Sequence, residues 1–119
     1  MKKLTPEQEE VCWGQGTEAP FSGIYNDHYK VGIYTCVACK SPLYSSKSKF
    51  KSGCGWPSFF EPLSEDIILE IEDTSLGMRR VEIKCKNCRS HLGHSFPDGP
   101  PPKGIRHCVN SLSLDFIED

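Results

Sequence analysis

Seven cysteines stand in a chain of 119 residues, and four of them form two C-x-x-C pairs, Cys36/Cys39 and Cys85/Cys88. Each such turn holds two sulfurs close enough to ligate one ion. Two turns brought together give the tetrahedral four-thiolate shell that zinc favours in structural sites. The pairs sit in an internal echo, "CVACKSPL" and "CKNCRSHL", in which C-x-x-C is followed by a basic residue, Ser, any residue and Leu. Two copies of one local pattern suggest two equivalent turns serving one site. The stretch from Cys39 to Cys85 exceeds the spacing of compact zinc ribbons, so closure would tie distant parts of the chain together and turn binding energy into folding energy. A thioredoxin-like redox pair is an alternative, but that pair normally opens a helix in a βαβ context, which is absent here. A site of Cys85, Cys88, His91 and His94 within "CKNCRSHLGH" would leave Cys36 and Cys39 without a role. An iron–sulfur cluster is the other alternative.

Cys12, Cys54 and Cys108 remain. Cys108 lies in "GIRHCVNSLSLDF". Read as a strand, this stretch puts alternate residues on one face. Leu112, Leu114 and Phe116 share that face with Asn110, Cys108 and Arg106, so the face changes from apolar to Arg–Cys–Asn. A cation two residues away stabilises a thiolate, the reactive form; a lone buried cysteine is more commonly an inert small hydrophobe. Spacing leaves both readings open. Cys54 lies between two glycines in "SGCGWPSFF", a setting poor for packing and good for a thiol that must travel. Trp56 either fills the core or walls a pocket for a small apolar group. His91 and His94 flank Gly93 in "SHLGHSF", with Phe96 beyond, directly after the second cysteine pair. Ordinary packing would account for them, and so would general acid chemistry. His28 and His107 have no comparable context, and Cys12 has no assignable role.

The elements that must position these residues follow from local pattern. "LTPEQEEVCW" opens as a short helix, with Thr5 as cap, Pro6 at the first helical position and Gln8 completing a capping box. "GQGTEAPFSG" reads as a surface wrap. "VGIYTC" is a strand, and "SSKSKFKSGCGWPSFFEP" is irregular. "DIILEIED" and "MRRVEIKC" form an antiparallel hairpin across "TSLG". "SFPDGPPPKG" is a loop, and "RHCVNSLSLDFIE" closes the chain as one strand. The expectation is a single, mainly antiparallel β domain over residues 1–119. Hydrophobic residues at 37% and charged residues at 25% are ordinary for a soluble globular protein. A net charge of −2 argues against a nucleic-acid footprint or an anionic membrane partner. No apolar run approaches a membrane span, and "MKKLTPEQEE" lacks the apolar core of a signal peptide. The expected address is the cytosol, where structural disulfides are rare and clustered cysteines point to metal or catalysis.

"SGCGWPSF", "HLGHSFPDGP" and "RHCVNSLSL", together with the two C-x-x-C turns, "GTEAPFSG" and "GIYTCVACKSPLY", resemble the methionine-R-sulfoxide reductases (MsrB). The motifs occur in order from about Leu4 to about Phe116. The resemblance implies an all-β fold of two antiparallel sheets, with a zinc clip opposite the active site held by Cys36, Cys39, Cys85 and Cys88. It implies that Cys108 is the nucleophile, that Cys54 is the resolving cysteine, and that Trp56 receives the substrate's methyl group. His91, His94 and Asn110 would surround the sulfoxide oxygen. Arg106 and Asp98 would support that network, and Phe96 would add apolar wall. The implied reaction reduces methionine-R-sulfoxide, free or in oxidised proteins and peptides. It would pass through a sulfenic acid and a Cys54–Cys108 disulfide that thioredoxin or a similar dithiol reopens. A monomer that binds neither nucleic acid nor membrane is expected.

Overall fold

The computed structural model describes residues 4–74, 80–101 and 103–119. One α-helix, α1 (Pro6–Cys12), begins at the capping box that the sequence predicts. Thr5 Oγ1 accepts the Gln8 amide at 3.2 Å, and Gln8 Oε1 accepts the Thr5 amide at 2.9 Å. The helix buries Val11 and Cys12.

Among the described residues, all other regular structure is strand or 3-10 turn. β1 (Gly32–Cys36), β2 (Pro42–Ser45) and β9 (Leu114–Glu118) form a three-stranded sheet in the order β2-β1-β9. β3 (Lys49–Phe50), β4 (Ser58–Phe59), β5 (Ile68–Asp73), β6 (Arg80–Cys85), β7 (His91–Phe96) and β8 (Arg106–Val109) form a six-stranded sheet in the order β3-β4-β8-β7-β6-β5. Every pairing is antiparallel, as expected. The core takes Tyr34, Leu43, Tyr44 and Leu114 from the smaller sheet and Phe59, Ile83, Leu92 and Val109 from the larger. Tyr44 stacks on Phe59 with ring centroids 4.3 Å apart, and burying each such side chain contributes about 1.5–3 kcal/mol. The expected hairpin is β5–β6; Met78, Arg79 and all of its turn except Thr74 lie outside the described residues. Among the described residues, no helix is long and apolar enough to cross a membrane.

Three expectations are corrected. "RHCVNSLSLDFIE" is not one strand. β8 ends at Val109, a 3-10 turn occupies Ser111–Ser113, and β9 begins at Leu114 in the other sheet. The Asn110 amide bonds to Leu92 O at 2.8 Å and the Ser113 hydroxyl to His91 O at 2.8 Å, so polar side chains and backbone steer the chain between sheets. The alternation runs on through the turn by coincidence. Within β8 the buried positions are His107 and Val109, while Arg106 and Cys108 stay partly exposed. Second, "HLGHSF" is the central strand β7, although Gly, Ser and His carry little strand propensity. Its Ser95 and Phe96 thus leave the loop that was expected to begin there. Third, His107 has a context after all: it is buried, with Nδ1 2.8 Å from Tyr44 Oη. Burial lowers its pKa to about 4.

Candidate active site

Register places the site. In the larger sheet, His94 of β7 faces Cys108 of β8, and Ser58 of β4 faces Cys108 from the other side. Glu82 of β6 faces His94. Directly opposed side chains on an antiparallel pair lie side by side on one face, so Glu82, His94, Cys108 and Ser58 form one row across the sheet. The neighbouring row, Val81, Ser95, His107 and Phe59, points the other way. A polar, reactive face and a core face are thus set by strand alternation.

Above this row lies a cavity of about 90 Å³. Cys108, His94 and Asn110 line it together with the rings of Trp56 and Phe96. It adjoins a larger, polar groove of about 580 Å³, with Thr17, Arg80 and His94 lining both. His91 lies in the groove and not in the cavity wall. Its Nδ1 is 2.7 Å from Glu82 Oε2, and burial lowers its pKa against the pull of that carboxylate. His94 Nε2 is 2.8 Å from Asp73 Oδ2. The two imidazoles meet edge-on with centroids 5.6 Å apart. The sulfurs of Cys85 and Cys88 gather with those of Cys36 and Cys39, and not with His91 and His94.

Cys54 Sγ lies 3.6 Å from Cys108 Sγ, and both thiols are free. Gly53 and Gly55 take φ of +77° and +97°, a left-handed backbone that only glycine adopts without strain, and so turn Cys54 toward Cys108. Burial opposes ionisation of Cys54, but hydrogen bonds with Ser52, Ser58, the Trp56 backbone and Cys108 bring its pKa down to about 7. The Ser52 hydroxyl donates to Cys54 Sγ at 3.0 Å. Cys108 goes the other way. Burial pushes its thiol well up, charge on Cys54 adds to this, and Arg106 offsets only part. Arg106 thus eases ionisation of Cys108 only in part, and Cys54 is the more readily ionised of the two. Arg106 is engaged elsewhere. It forms a two-pronged pair with Asp98, Nε to Oδ1 at 2.9 Å and a terminal nitrogen to Oδ2 at 3.1 Å, and its guanidinium lies 4.5 Å from the Phe96 ring centroid. Arg106 and Asp98 brace the Phe96 wall without lining the cavity.

The two C-x-x-C turns are copies in structure as in sequence. Lys40 and Arg89, the basic residues of the echo, take φ of +68° and +66°. Their amides bond back to Cys36 O at 2.9 Å and Cys85 O at 2.7 Å. The Cys36 and Cys85 amides bond forward to Ser41 O and Ser90 O. The four sulfurs lie within 4.8 Å of one another, with Cys36–Cys88 and Cys39–Cys85 each at 3.5 Å. The Ser41 hydroxyl lies 3.2 Å from Cys39 Sγ, and that of Ser90 3.3 Å from Cys36 Sγ. The Cys85 hydrogen bond holds Cys36 well below the ordinary thiol range and the same contact pushes Cys85 up. The set can hold a metal ion. Because Cys36 ends β1 and Cys85 ends β6, it joins the two sheets. Cys12 is buried nearby; burial pushes its thiol up to about 12, so it packs as an inert side chain.

Several residues at the site carry no local signal. Asp73, Arg80 and Glu82 read in sequence as the charged edge of a hairpin, and only register brings them to His91 and His94. Thr17 and Glu18 sit in the irregular stretch 14–23, which packs against the site.

The SelR domain model matches residues 4–118. A peptide methionine sulfoxide reductase MsrB of Pseudomonas entomophila is 57% identical over 113 residues, covering 95% of this chain and 86% of the relative. The protein of the same name from Thioalkalivibrio sulfidiphilus is 56% identical over 115 residues, covering 97% and 84%. That from Pseudomonas fluorescens Pf-5 is 55% identical over 114 residues, covering 96% and 88%. These matches run through both sheets, the paired knuckles and the cavity, and the chain belongs to the SelR family, that of the MsrB proteins.

Proposed function

We propose that this chain reduces methionine sulfoxide, specifically the R epimer, to methionine by thiol chemistry at Cys108. One observation carries the reading: two free thiols stand 3.6 Å apart, and one of them lies in the wall of a cavity shared with Trp56, Phe96, His94 and Asn110. The methyl group of the substrate enters against Trp56 and Phe96. His94 and Asn110 face the sulfoxide oxygen, and His91 and Glu82 hold the neighbouring ring in place. Sulfur attack needs a thiolate at Cys108, whose proton passes to His94, the residue facing it across the strand pair. Cys108 sulfur then attacks the sulfoxide sulfur while His94 gives a proton to the oxygen. The oxygen leaves with Cys108 as a sulfenic acid, so Cys108 loses two electrons and methionine gains them. Cys54 sulfur attacks the sulfenic sulfur, water departs, and a Cys54–Cys108 disulfide forms. A dithiol such as that of thioredoxin returns two electrons and two protons by exchange.

Zinc suits the four-cysteine set. Zinc–sulfur bonds of about 2.3 Å make a tetrahedron with edges of about 3.8 Å, and four sulfurs within 4.8 Å of one another, at 3.5 Å in two pairs, need little adjustment to reach it. Cys36, Cys39, Cys85 and Cys88 would hold it as a clip between sheets, outside the reaction. A reducing compartment such as the cytosol keeps both thiol sets in the required state. Separated R and S epimers, given to the purified protein with dithiol, test the reading. Turnover of R alone, lost in Cys108→Ser, is expected. Turnover of S, or of neither epimer, contradicts it.

A further inference from the structure

We propose that Glu18 is a positioning residue which, from a loop remote in sequence, sets Trp56 and Asn110 in the walls of the cavity. The proposal rests on the reaction proposed above. A glutamate in an irregular surface stretch is ordinarily exposed, yet Glu18 is only 7% exposed. Three of its groups are bound to three parts of the site. Its carbonyl oxygen accepts Trp56 Nε1–H at 3.0 Å. Its amide donates to Asn110 Oδ1 at 3.0 Å. Its carboxylate Oε1 accepts the Leu112 amide at 2.9 Å.

The third bond explains the other two. Asn110 immediately precedes the Ser111–Ser113 turn, where asparagine commonly caps the turn with its own side chain. Here it makes no such bond. Its side chain instead spans Glu18 N and Leu92 O, the latter at 3.0 Å. The Leu112 amide at the start of the turn would be orphaned but for the Glu18 carboxylate. Glu18 thereby releases Asn110 from capping, and the second proton of its amide is left for the cavity. The arrangement is tight: a side chain at Gly23 would meet both Glu18 Oε2 and the Ser111 hydroxyl. Burial raises the Glu18 carboxyl above its ordinary value against the pull of Leu112 and Ser111.

Wild type, Glu18→Ala and Glu18→Gln are compared by proton–nitrogen correlation spectroscopy, metal content, iodoacetamide labelling and kinetics on methionine-R-sulfoxide. In Glu18→Ala the Trp56 indole and Asn110 amide resonances should move. Its kcat/KM should fall about tenfold to a hundredfold, the scale set by sub-ångström misplacement of reacting groups. Metal content, the Trp13 indole resonance and the Cys54 labelling rate should stay as in wild type. Glu18→Gln still offers an oxygen to Leu112 and should restore both resonances and rate. Unmoved Trp56 and Asn110 resonances in Glu18→Ala, with wild-type kcat/KM, overturn the proposal. So does a change at Trp13 and Cys54 as large as that in the cavity, since the loss would then be general. Should Glu18→Ala fail to fold, Glu18→Asp, one methylene short of Leu112, takes its place with the same outcomes. Resonance positions do not depend on turnover. A wild type that turns over no sulfoxide therefore sinks the proposed reaction, while the resonances still decide Glu18.

Discussion

Cys54 and Cys108 share one proton balance, in which Cys54 is the more readily ionised. Cys54, with a pKa of about 7 set by its serine and backbone hydrogen bonds against burial, ionises as pH rises through neutrality. Cys108, pushed well up by burial, does not. Iodoacetamide should therefore label Cys54 first, at a rate that climbs through about pH 7. Peptide mass spectrometry of the timed products checks this, and faster labelling of Cys108 would contradict it. Trp56 belongs to the same scale. Its indole is both wall and hydrogen-bond donor, so Trp56→Ala should raise KM more than it lowers kcat. Steady-state kinetics alongside a melting curve separate that from unfolding. Much at this scale is legible in sequence: the lone Cys108, the glycine-flanked Cys54, and the repeated basic residue after each C-x-x-C. What is hidden is the charge balance of the thiol pair, because burial and a partner distant in sequence outweigh the nearby Arg106.

Short elements govern how these side chains meet. The "SGCGW" turn depends on Gly55, whose φ of +97° places an added Cβ 2.7 Å from Pro20 Cβ. Gly55→Ala should cost about 1–3 kcal/mol of stability and slow closure of the Cys54–Cys108 disulfide, measured by thiol titration after one turnover. Unchanged closure would show that the turn does not aim Cys54. The helix cap, β1 and the β5–β6 hairpin are legible because each carries its own signal: a capping box, an apolar run, or two apolar-patterned segments about a turn. β7 is not, since "HLGHSF" owes its strand conformation to neighbours on both sides. The break after Val109 is hidden by a period-2 pattern that runs unbroken across a 3-10 turn.

At the scale of the whole molecule, the sheets pack on one another, and the four cysteines that could hold a metal ion bring the end of β1 to the end of β6. Chelation should lower the melting temperature steeply and cooperatively, as binding energy becomes folding energy; a melt indifferent to chelator would leave the clip without a structural role. His107 adds a pH dependence. Its pKa is about 4 when folded, against an ordinary 6.5. Between those values the unfolded chain binds the proton first, so stability is lost as pH falls through that window, by about 3 kcal/mol in all. Denaturant unfolding at pH 7 and pH 4 should show His107→Gln losing less stability than wild type by about that amount. An equal loss in both would contradict a buried neutral ring. The two-sheet architecture is foreshadowed by the echo of cysteine pairs, whereas the row joining Glu82, His94, Cys108 and Ser58 exists only through register between strands far apart in the chain.

In the proposed reaction Cys108 takes the oxygen. Cys54→Ser protein, treated with one equivalent of methionine-R-sulfoxide and analysed by peptide mass spectrometry, tests it most directly. One methionine released per chain, with a single added oxygen on the Cys108 peptide, is the predicted result. Oxygen on any other cysteine, or no methionine released, would contradict that role of Cys108.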